Sequence, residues 1–210
     1  MKNWGYSEVF YLLPHLMPLL KSNFPRLNLL LVEEKTAELI EQLQYGKLDC
    51  ALLAMPIDKQ NFDNPDFVHK KLFTEDFLLA VSSSHALAKR QQVQLADIKN
   101  ETMLLLDEGH CLREQTLEVC HLIGSKESEN FRATSLETLR HMVSASNAIT
   151  LIPQLAARRA DNMAYIPFQP PAPARNIGLY WRKTSARQAL FTAFAALDFA
   201  FIKHVNIENV

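Results

Sequence analysis

Two cysteines nine positions apart supply the most reactive chemistry in this sequence. Cys111 follows a Gly-His pair within Leu104–Cys120, which reads LLLDEGHCLREQTLEVC. This stretch predicts a strand, a turn and an amphipathic helix, which places Cys111 at the helix N-terminus. Backbone N–H groups and the positive dipole end stabilise a thiolate there, with His110 and Arg113 as local candidates to help. Such a thiolate is a nucleophile that a peroxide can oxidise to a sulfenic acid.

Cys120 falls near the end of the same predicted helix. Nine residues of α-helix advance roughly 13–14 Å, whereas a disulfide needs Cα atoms within about 7 Å of each other. The two cysteines therefore either never bridge or bridge by unwinding the helix, which is how a redox switch behaves. The alternative is that Cys120, on an apolar face with Leu117, is an inert buried residue. The residues alone leave both interpretations open.

Other chemistries lack their motifs. Cys50 lies within an apolar strand pattern and is expected to be a small core residue. The sequence has neither a CxxC motif nor the Cys/His spacings of a zinc site, and its five glycines form no phosphate-binding loop. We therefore expect no metal and no cofactor.

Composition restricts the class of protein. The 210 residues are 48% hydrophobic and 21% charged, as in soluble globular proteins, and no apolar run is long enough to span a membrane. With 22 basic and 23 acidic residues, the net charge of −1 is a poor basis for direct nucleic-acid binding. The N-terminus lacks the features of a secretory signal, which favours a cytoplasmic location.

Alternating strand and helix patterns predict an α/β fold. Strands at Asn28–Val32 and Leu48–Met55 flank a helix at Thr36–Tyr45 that Gly46 ends, which indicates a parallel unit. A proline-disturbed helix is expected from Tyr11. Further predicted strands are Phe67–Leu72, Phe77–Ser82, Thr102–Leu106, Asn130–Ala133, Ala148–Ile152, Met163–Pro167 and Ile177–Trp181.

The remaining helices and the connections complete the prediction. Thr134 and Glu137 resemble a capping box that starts a helix, and Ser185–Lys203 is the longest helix pattern. Connections near Thr74–Asp76 and Pro170–Asn176 separate two α/β blocks, and the last strand and helix are expected to return to the first block. A cleft between two lobes is a natural site for a small ligand.

Three segments carry a resemblance to a known family: EGHCLREQTLEVC, FRATSLETLRHMVSASNAITLIP and TAELIEQLQYGKLDCALLA. They resemble the regulatory domain of the peroxide-sensing LysR-type transcription regulators, and the similarity extends over roughly Tyr11–Lys183. The resemblance implies two Rossmann-like lobes joined by two crossover strands, as in periplasmic binding proteins. Lobe I would be residues 1–74 plus 177–210, and lobe II, with the cysteines, residues 75–176. A winged-helix DNA-binding domain would precede this chain.

The resemblance also implies a mechanism. Cys111 would be the peroxidatic cysteine and Cys120 the resolving one, and their disulfide would refold the segment between them. The protein would be a homodimer or homotetramer, with the Leu136–Ala145 helix at an interface. Implied partners are hydrogen peroxide, DNA and RNA polymerase through the full-length protein, and a glutaredoxin- or thioredoxin-type reductant. The resemblance implies a protein that neither binds a membrane nor turns over as an enzyme.

The resemblance assigns pocket residues position by position. His110 matches a histidine and Thr36 a threonine, while Glu114 stands where aspartate is usual and Arg175 where a basic residue lies near the reactive sulfur. Ser7 falls at a second threonine's place, although the surrounding N-terminal residues depart from the family pattern. Simpler roles are a capping histidine, an N-cap threonine and a first-turn acid that favours the dipole.

Two other functions remain open. In a metabolite-binding effector domain of the same fold, the cysteines would have no functional role. Its ligand would bind near Thr134, Ser135 and Arg113. Arg113 would otherwise be a solvated helix residue or a contact of the oxidised state. A turnover thiol peroxidase would instead consume peroxide continuously with a reductant.

Overall fold

The computed structural model describes residues 2–6, 10–55, 64–124, 126–158 and 162–200. The chain divides into two compact units. Of the described residues, one unit contains those up to Thr74 and Asn176–Ala200, and the other contains Glu75–Arg175. The chain passes from one unit to the other at 74–75 and again at 175–176, in each case within a long strand.

The described residues form strands and helices in alternation, as the patterns predict, which confirms the α/β class. The strands are β1 (Lys2–Tyr6), β2 (Leu29–Glu33), β3 (Cys50–Met55), β4 (Phe67–Ser82), β5 (Thr102–Leu106), β6 (Lys126–Ala133), β7 (Thr150–Pro153), β8 (Met163–Pro167) and β9 (Ala174–Arg182). The α-helices are α1 (Leu13–Asn23), α2 (Thr36–Gln44), α3 (Cys111–Ile123), α4 (Leu136–Ser144) and α5 (Gln188–Ala195). Short 3-10 helices are Phe10–Leu12, Leu95–Ile98 and Gln154–Ala156.

The first unit is built on a mainly parallel sheet. Strand β1 pairs in parallel with both β2 and β3, and β3 pairs antiparallel with β9. Helix α2 connects β2 to β3 and buries Leu39, Ile40 and Leu43 against the sheet. Gly46 follows α2 with a φ of +75°, a conformation that glycine adopts without steric cost, so the predicted helix end is confirmed.

The second unit carries the cysteine helix between two parallel strands. Strand β5 pairs with β6, and α3 makes the connection between them. Strand β7 and strand β8 both pair antiparallel with β4. A β-bridge from Met103 to Ile149 also ties β5 to the residue that precedes β7. Helix α3 therefore begins after a strand that is paired on two sides and ends before β6, which pairs with β5.

Several boundaries differ from the predictions. The expected break between Phe67–Leu72 and Phe77–Ser82 is absent, because β4 runs continuously through the polar residues between them. The long helix expected over Ser185–Lys203 is wrong for the described residues, where α5 spans eight residues and is followed by a turn. The N-terminal segment, for which no strand was predicted, forms β1.

The start of α4 is also one residue later than the capping box predicts. Ser135, not Thr134, is the N-cap, and its hydroxyl accepts a hydrogen bond from the Thr138 backbone N–H at 3.2 Å. The Glu137 carboxylate accepts from Arg140 at 2.6 Å instead of bonding back to the cap. Ser135 thus caps the N–H of Thr138, whereas the predicted cap at Thr134 would have bonded the N–H of Glu137.

Candidate functional site

A tight turn presents Cys111 as the first residue of α3. Gly109 has a φ of +86°, and His110 is extended as the N-cap residue. The His110 carbonyl then accepts hydrogen bonds from the backbone N–H groups of Arg113 and Glu114 at 3.0 and 3.4 Å. Cys111 is half-buried. The predicted placement of this thiol at a helix N-terminus is therefore confirmed.

The polar neighbours of Cys111 differ in exposure. His110 is half-buried, and its side chain makes no capping hydrogen bond to α3. The alternative role of His110 as a side-chain helix cap is therefore not observed. Glu114 is exposed in the first turn, where a carboxylate interacts favourably with the helix dipole. His110 thus directly precedes Cys111 in the turn that begins α3, while the Glu114 side chain is exposed to solvent.

Arg113 is not a solvated residue, since it is only 6% exposed. Its guanidinium donates to the Leu106 carbonyl at 3.0 Å and to the Glu127 carboxylate at 2.8 Å. These contacts connect the start of α3 to the end of β5 and to β6. A buried guanidinium that donates to both a carbonyl and a carboxylate is strongly held, and these contacts oppose unwinding of the first turn of α3.

Cys120 occupies a different environment. It is 3% exposed and lies on the buried face of α3 with Leu112, Thr116 and Val119. Its thiol donates to the Met103 sulfur at 3.2 Å. All three cysteines are thiols, not disulfides. Because α3 is continuous, Cys111 and Cys120 are separated by roughly 13–14 Å along the helix axis, as the sequence predicts.

Thr36 is a half-buried residue at the first position of α2, in the first unit, whereas the cysteines belong to the second. The N-cap of α2 is Lys35, so the N-cap role considered for Thr36 is wrong. Ser7 lies outside the described residues.

Arg175 belongs to the second unit and is 3% exposed. Its Nε donates to Glu75 at 3.1 Å, and its guanidinium carbon lies 5.9 Å from the centre of the Phe77 ring. The other Glu75 oxygen accepts from the Leu155 backbone N–H at 3.0 Å. Burial raises the pKa of Glu75 to about 8, the Leu155 hydrogen bond opposes that rise, and the Asp76 charge adds to it. Arg175 is therefore anchored at the residue where the chain leaves the second unit.

Sequence reasoning missed three residues that support these side chains. Met103 and Glu127 contact Cys120 and Arg113, and Glu75 holds Arg175. Only Glu75 had a signal, because it lies in the predicted connection at Thr74–Asp76. Within the described part of the chain, no group of three or more metal-ligating side chains is present, and no helix is both long and apolar enough to cross a bilayer.

Comparison with known sequences agrees with this architecture. Residues 6–197 match the family model described as the LysR substrate binding domain. The chain is 43% identical over 188 residues to the DNA-binding transcriptional dual regulator OxyR of Escherichia coli K12, covering 88% of this chain and 60% of that protein. It is 42% identical over 178 residues to a hydrogen peroxide-inducible genes activator of Haemophilus influenzae, covering 83% and 58%. The chain thus spans about 60% of the length of these curated relatives.

Solved structures narrow the assignment. The oxidised form of OxyR superposes with a TM-score of 0.80 at 40% identity, covering 92% of both chains. The reduced form superposes with a TM-score of 0.81 at 39% identity, covering 92% of this chain and 91% of that one. The chain therefore belongs to the LysR substrate-binding domain family and, within it, to the OxyR regulatory domains.

Proposed function

We propose that this chain is the regulatory domain of a transcription activator that senses hydrogen peroxide. The observation that carries the proposal is a single helix that holds a half-buried thiol at its first residue and a buried thiol nine residues later. The relatives named as peroxide-inducible activators, and the existence of oxidised and reduced OxyR structures, support it. Transcription, DNA and RNA polymerase would involve the longer protein.

The chemistry starts at Cys111. Its thiolate attacks one peroxide oxygen, an S–O bond forms, and the O–O bond breaks. The departing hydroxide takes a proton and leaves as water, which yields a sulfenic acid on Cys111. His110 is the nearest candidate in sequence to position the peroxide or supply that proton. Thr36, Glu114, Arg175 and Ser7 remain pocket candidates that rest on the family resemblance.

The second step converts oxidation into a change of fold. Cys120 loses its proton, its sulfur attacks the sulfenic sulfur, an S–S bond forms, and the S–O bond breaks to release water. Because the helix separates the two sulfurs, the bond requires residues 111–120 to leave the α3 conformation. The Arg113 contacts to Leu106 and Glu127 break in the same event. One covalent bond thus selects between two packings of the segment.

The refolded segment would alter how subunits of a homodimer or homotetramer pack, with α4 as an interface element. Met142 on α4 is 39% exposed, which gives that helix an apolar contribution to such a surface. A glutaredoxin- or thioredoxin-type reductant in the cytoplasm would return the disulfide to two thiols. The domain itself would be oxidised once per signal and would not turn over as an enzyme.

Mass spectrometry after one equivalent of hydrogen peroxide tests the proposal. The expected product is a Cys111–Cys120 disulfide, which Cys111→Ser and Cys120→Ser both abolish. Cys120→Ser should still accumulate a sulfenic acid at Cys111, which dimedone traps. Cys50→Ser is the matched control and should form the disulfide as the wild type does, since Cys50 is fully buried within β3.

Two outcomes would overturn the proposal. One is a wild-type protein that gains no Cys111–Cys120 bridge at stoichiometric peroxide. The other is a bridge that forms while the far-ultraviolet circular dichroism keeps all of the α3 signal, because a continuous α3 and this bond are geometrically incompatible.

A further inference from the structure

The contact between Cys120 and Met103 joins helix α3, which the proposed disulfide would unwind, to strand β5. Cys120 lies in the last third of α3 and is 3% exposed, whereas Met103 lies in β5 and is 0% exposed. The sulfur atoms are 3.2 Å apart, with the thiol as donor. A thiol is a weak donor and a thioether a weak acceptor, so such a short buried contact reflects defined placement of both groups.

The Met103 backbone is fixed from two sides. Within β5 it pairs with Glu127 of β6, and it also bridges Ile149. The residues on either side of it complete the clamp, because the Leu104 N–H donates to the Ile149 carbonyl and the Ile149 N–H donates to the Thr102 carbonyl, both at 2.9 Å. The acceptor sulfur therefore belongs to a strand with backbone partners on both sides, although its register with β6 shifts between Met103 and Leu105, while the donor belongs to the helix that the proposed disulfide would unwind.

From this geometry we infer that Met103 is a positioning residue that retains Cys120 in its buried, protonated position and so sets the rate of disulfide formation. The inference rests on the proposed resolving role of Cys120. Attack on the sulfenic sulfur requires Cys120 to lose its proton and approach Cys111. Both changes require the S–H contact with Met103 to break first. The contact thus lengthens the lifetime of the sulfenic acid without affecting the reaction of Cys111 with peroxide.

Met103→Leu is the direct test, because leucine keeps similar volume and hydrophobicity and removes the acceptor sulfur. In single-turnover mixing with hydrogen peroxide, the rate of sulfenic acid formation should be unchanged. The rate of disulfide formation should rise about two- to fivefold, as expected for loss of one modest hydrogen bond. Met55→Leu makes the same change in the first unit, at the end of β3, and should leave both rates at their wild-type values.

Two readouts do not depend on peroxide. In a Cys111→Ser background, iodoacetamide should alkylate Cys120 about two- to fivefold faster when Met103 is leucine, by the same argument. The infrared S–H stretch of Cys120 can be isolated by subtracting the spectrum of the Cys120→Ser variant from that of the wild type. It should lie at lower frequency than the stretch of a thiol without a hydrogen bond. Met103→Leu should move it back upward. A role for Met103 in packing alone would leave this frequency in place.

These experiments separate the inference from the proposed function. If the wild type forms no Cys111–Cys120 bridge, the proposed function fails. The alkylation rate and the S–H frequency then decide whether Met103 retains Cys120. If the bridge forms but Met103→Leu changes neither its rate nor the alkylation of Cys120, the inference is overturned and the function stands. An S–H frequency typical of an unbonded thiol in the wild type also overturns it, even if the leucine variant does not fold.

Discussion

The two ends of helix α3 are held by contacts of opposite character. At the start, Arg113 joins the helix to β5 and β6 through a charged guanidinium that is almost completely buried. Towards the end, Cys120 and Val119 pack into an apolar interior in which the most specific contact is between two sulfur atoms. Cys111 lies at the ionic end and Cys120 at the apolar end.

This difference indicates which end resists unwinding more strongly. A buried guanidinium that loses its carboxylate pays a large desolvation cost, whereas a cysteine that leaves an apolar site loses contacts worth far less. Cys111 is half-buried at the strongly held end, so the proposed reaction with peroxide would begin where the helix is held by buried charge. We infer that oxidation starts at the rigid end and that unwinding proceeds from the apolar end.

The largest expected effect comes from removing the carboxylate at the ionic end. Glu127→Ala leaves the buried Arg113 guanidinium without its negative partner, and it should lower the free energy of unfolding by about 2–3 kcal/mol, below the fully buried range because Glu127 is partly exposed. Chemical denaturation of the reduced protein measures this loss.

A matched control is the exposed ion pair between Arg132 and Glu108, whose side chains are 46% and 72% exposed. Glu108→Ala should cost less than about 1 kcal/mol, as exposed pairs usually do. Arg113→Met, which removes the charge and keeps much of the volume, should cost less than Glu127→Ala. Equal losses for Glu127→Ala and Glu108→Ala would contradict the idea that burial gives the ionic end its strength.

The sequence predicts α3 and its thiols well because the relevant signals are local. A strand and a Gly-His turn precede one segment with helical periodicity, and a glycine follows it. Helix geometry alone then separates the two cysteines. The structure places α3 at Cys111–Ile123, with Gly124 in the left-handed conformation at its C-terminus. Neither step required knowledge of distant residues.

The partners of these residues were not predictable, because they depend on packing between segments far apart in sequence. Thr74–Asp76 has the polarity of a break between strands, yet β4 continues through it, and Arg175, one hundred positions later, donates a hydrogen bond to the buried Glu75. Strand β1 was missed since Gly5 and neighbouring polar residues give it no alternating pattern, although β2 and β3 pair with it on both sides. Met103 and Cys120 meet only once α3 has docked on β5.

At the apolar end, replacing each thiol by a hydroxyl compares the two sites directly. Cys120→Ser places a polar group in an apolar environment and should reduce the free energy of unfolding by about 1–3 kcal/mol. Cys111→Ser, at a half-buried position beside polar groups, should change it by less than about 0.5 kcal/mol. Thermal and denaturant unfolding of both variants under reducing conditions provide the values. Equal costs at the two positions would mean that the two ends of α3 are not distinct environments.

The last prediction concerns Gly124, which follows the final residue of α3. Gly124 has a φ of +67°, and among the described residues beyond its own chain neighbours no atom lies within 4 Å of where a β-carbon would stand, so a side chain there meets a conformational cost without a tertiary clash. Gly124→Ala should therefore lower the free energy of unfolding by about 1 kcal/mol, while Gly124→Asn should cost less because asparagine tolerates the left-handed conformation. If unwinding starts at the apolar end, Gly124→Ala should also accelerate the formation of the Cys111–Cys120 disulfide after peroxide, and Gly124→Asn should do so to a smaller degree. An acceleration by Glu127→Ala that exceeds that of Gly124→Ala, once each is corrected for its loss of stability, would instead place the start of unwinding at the ionic end.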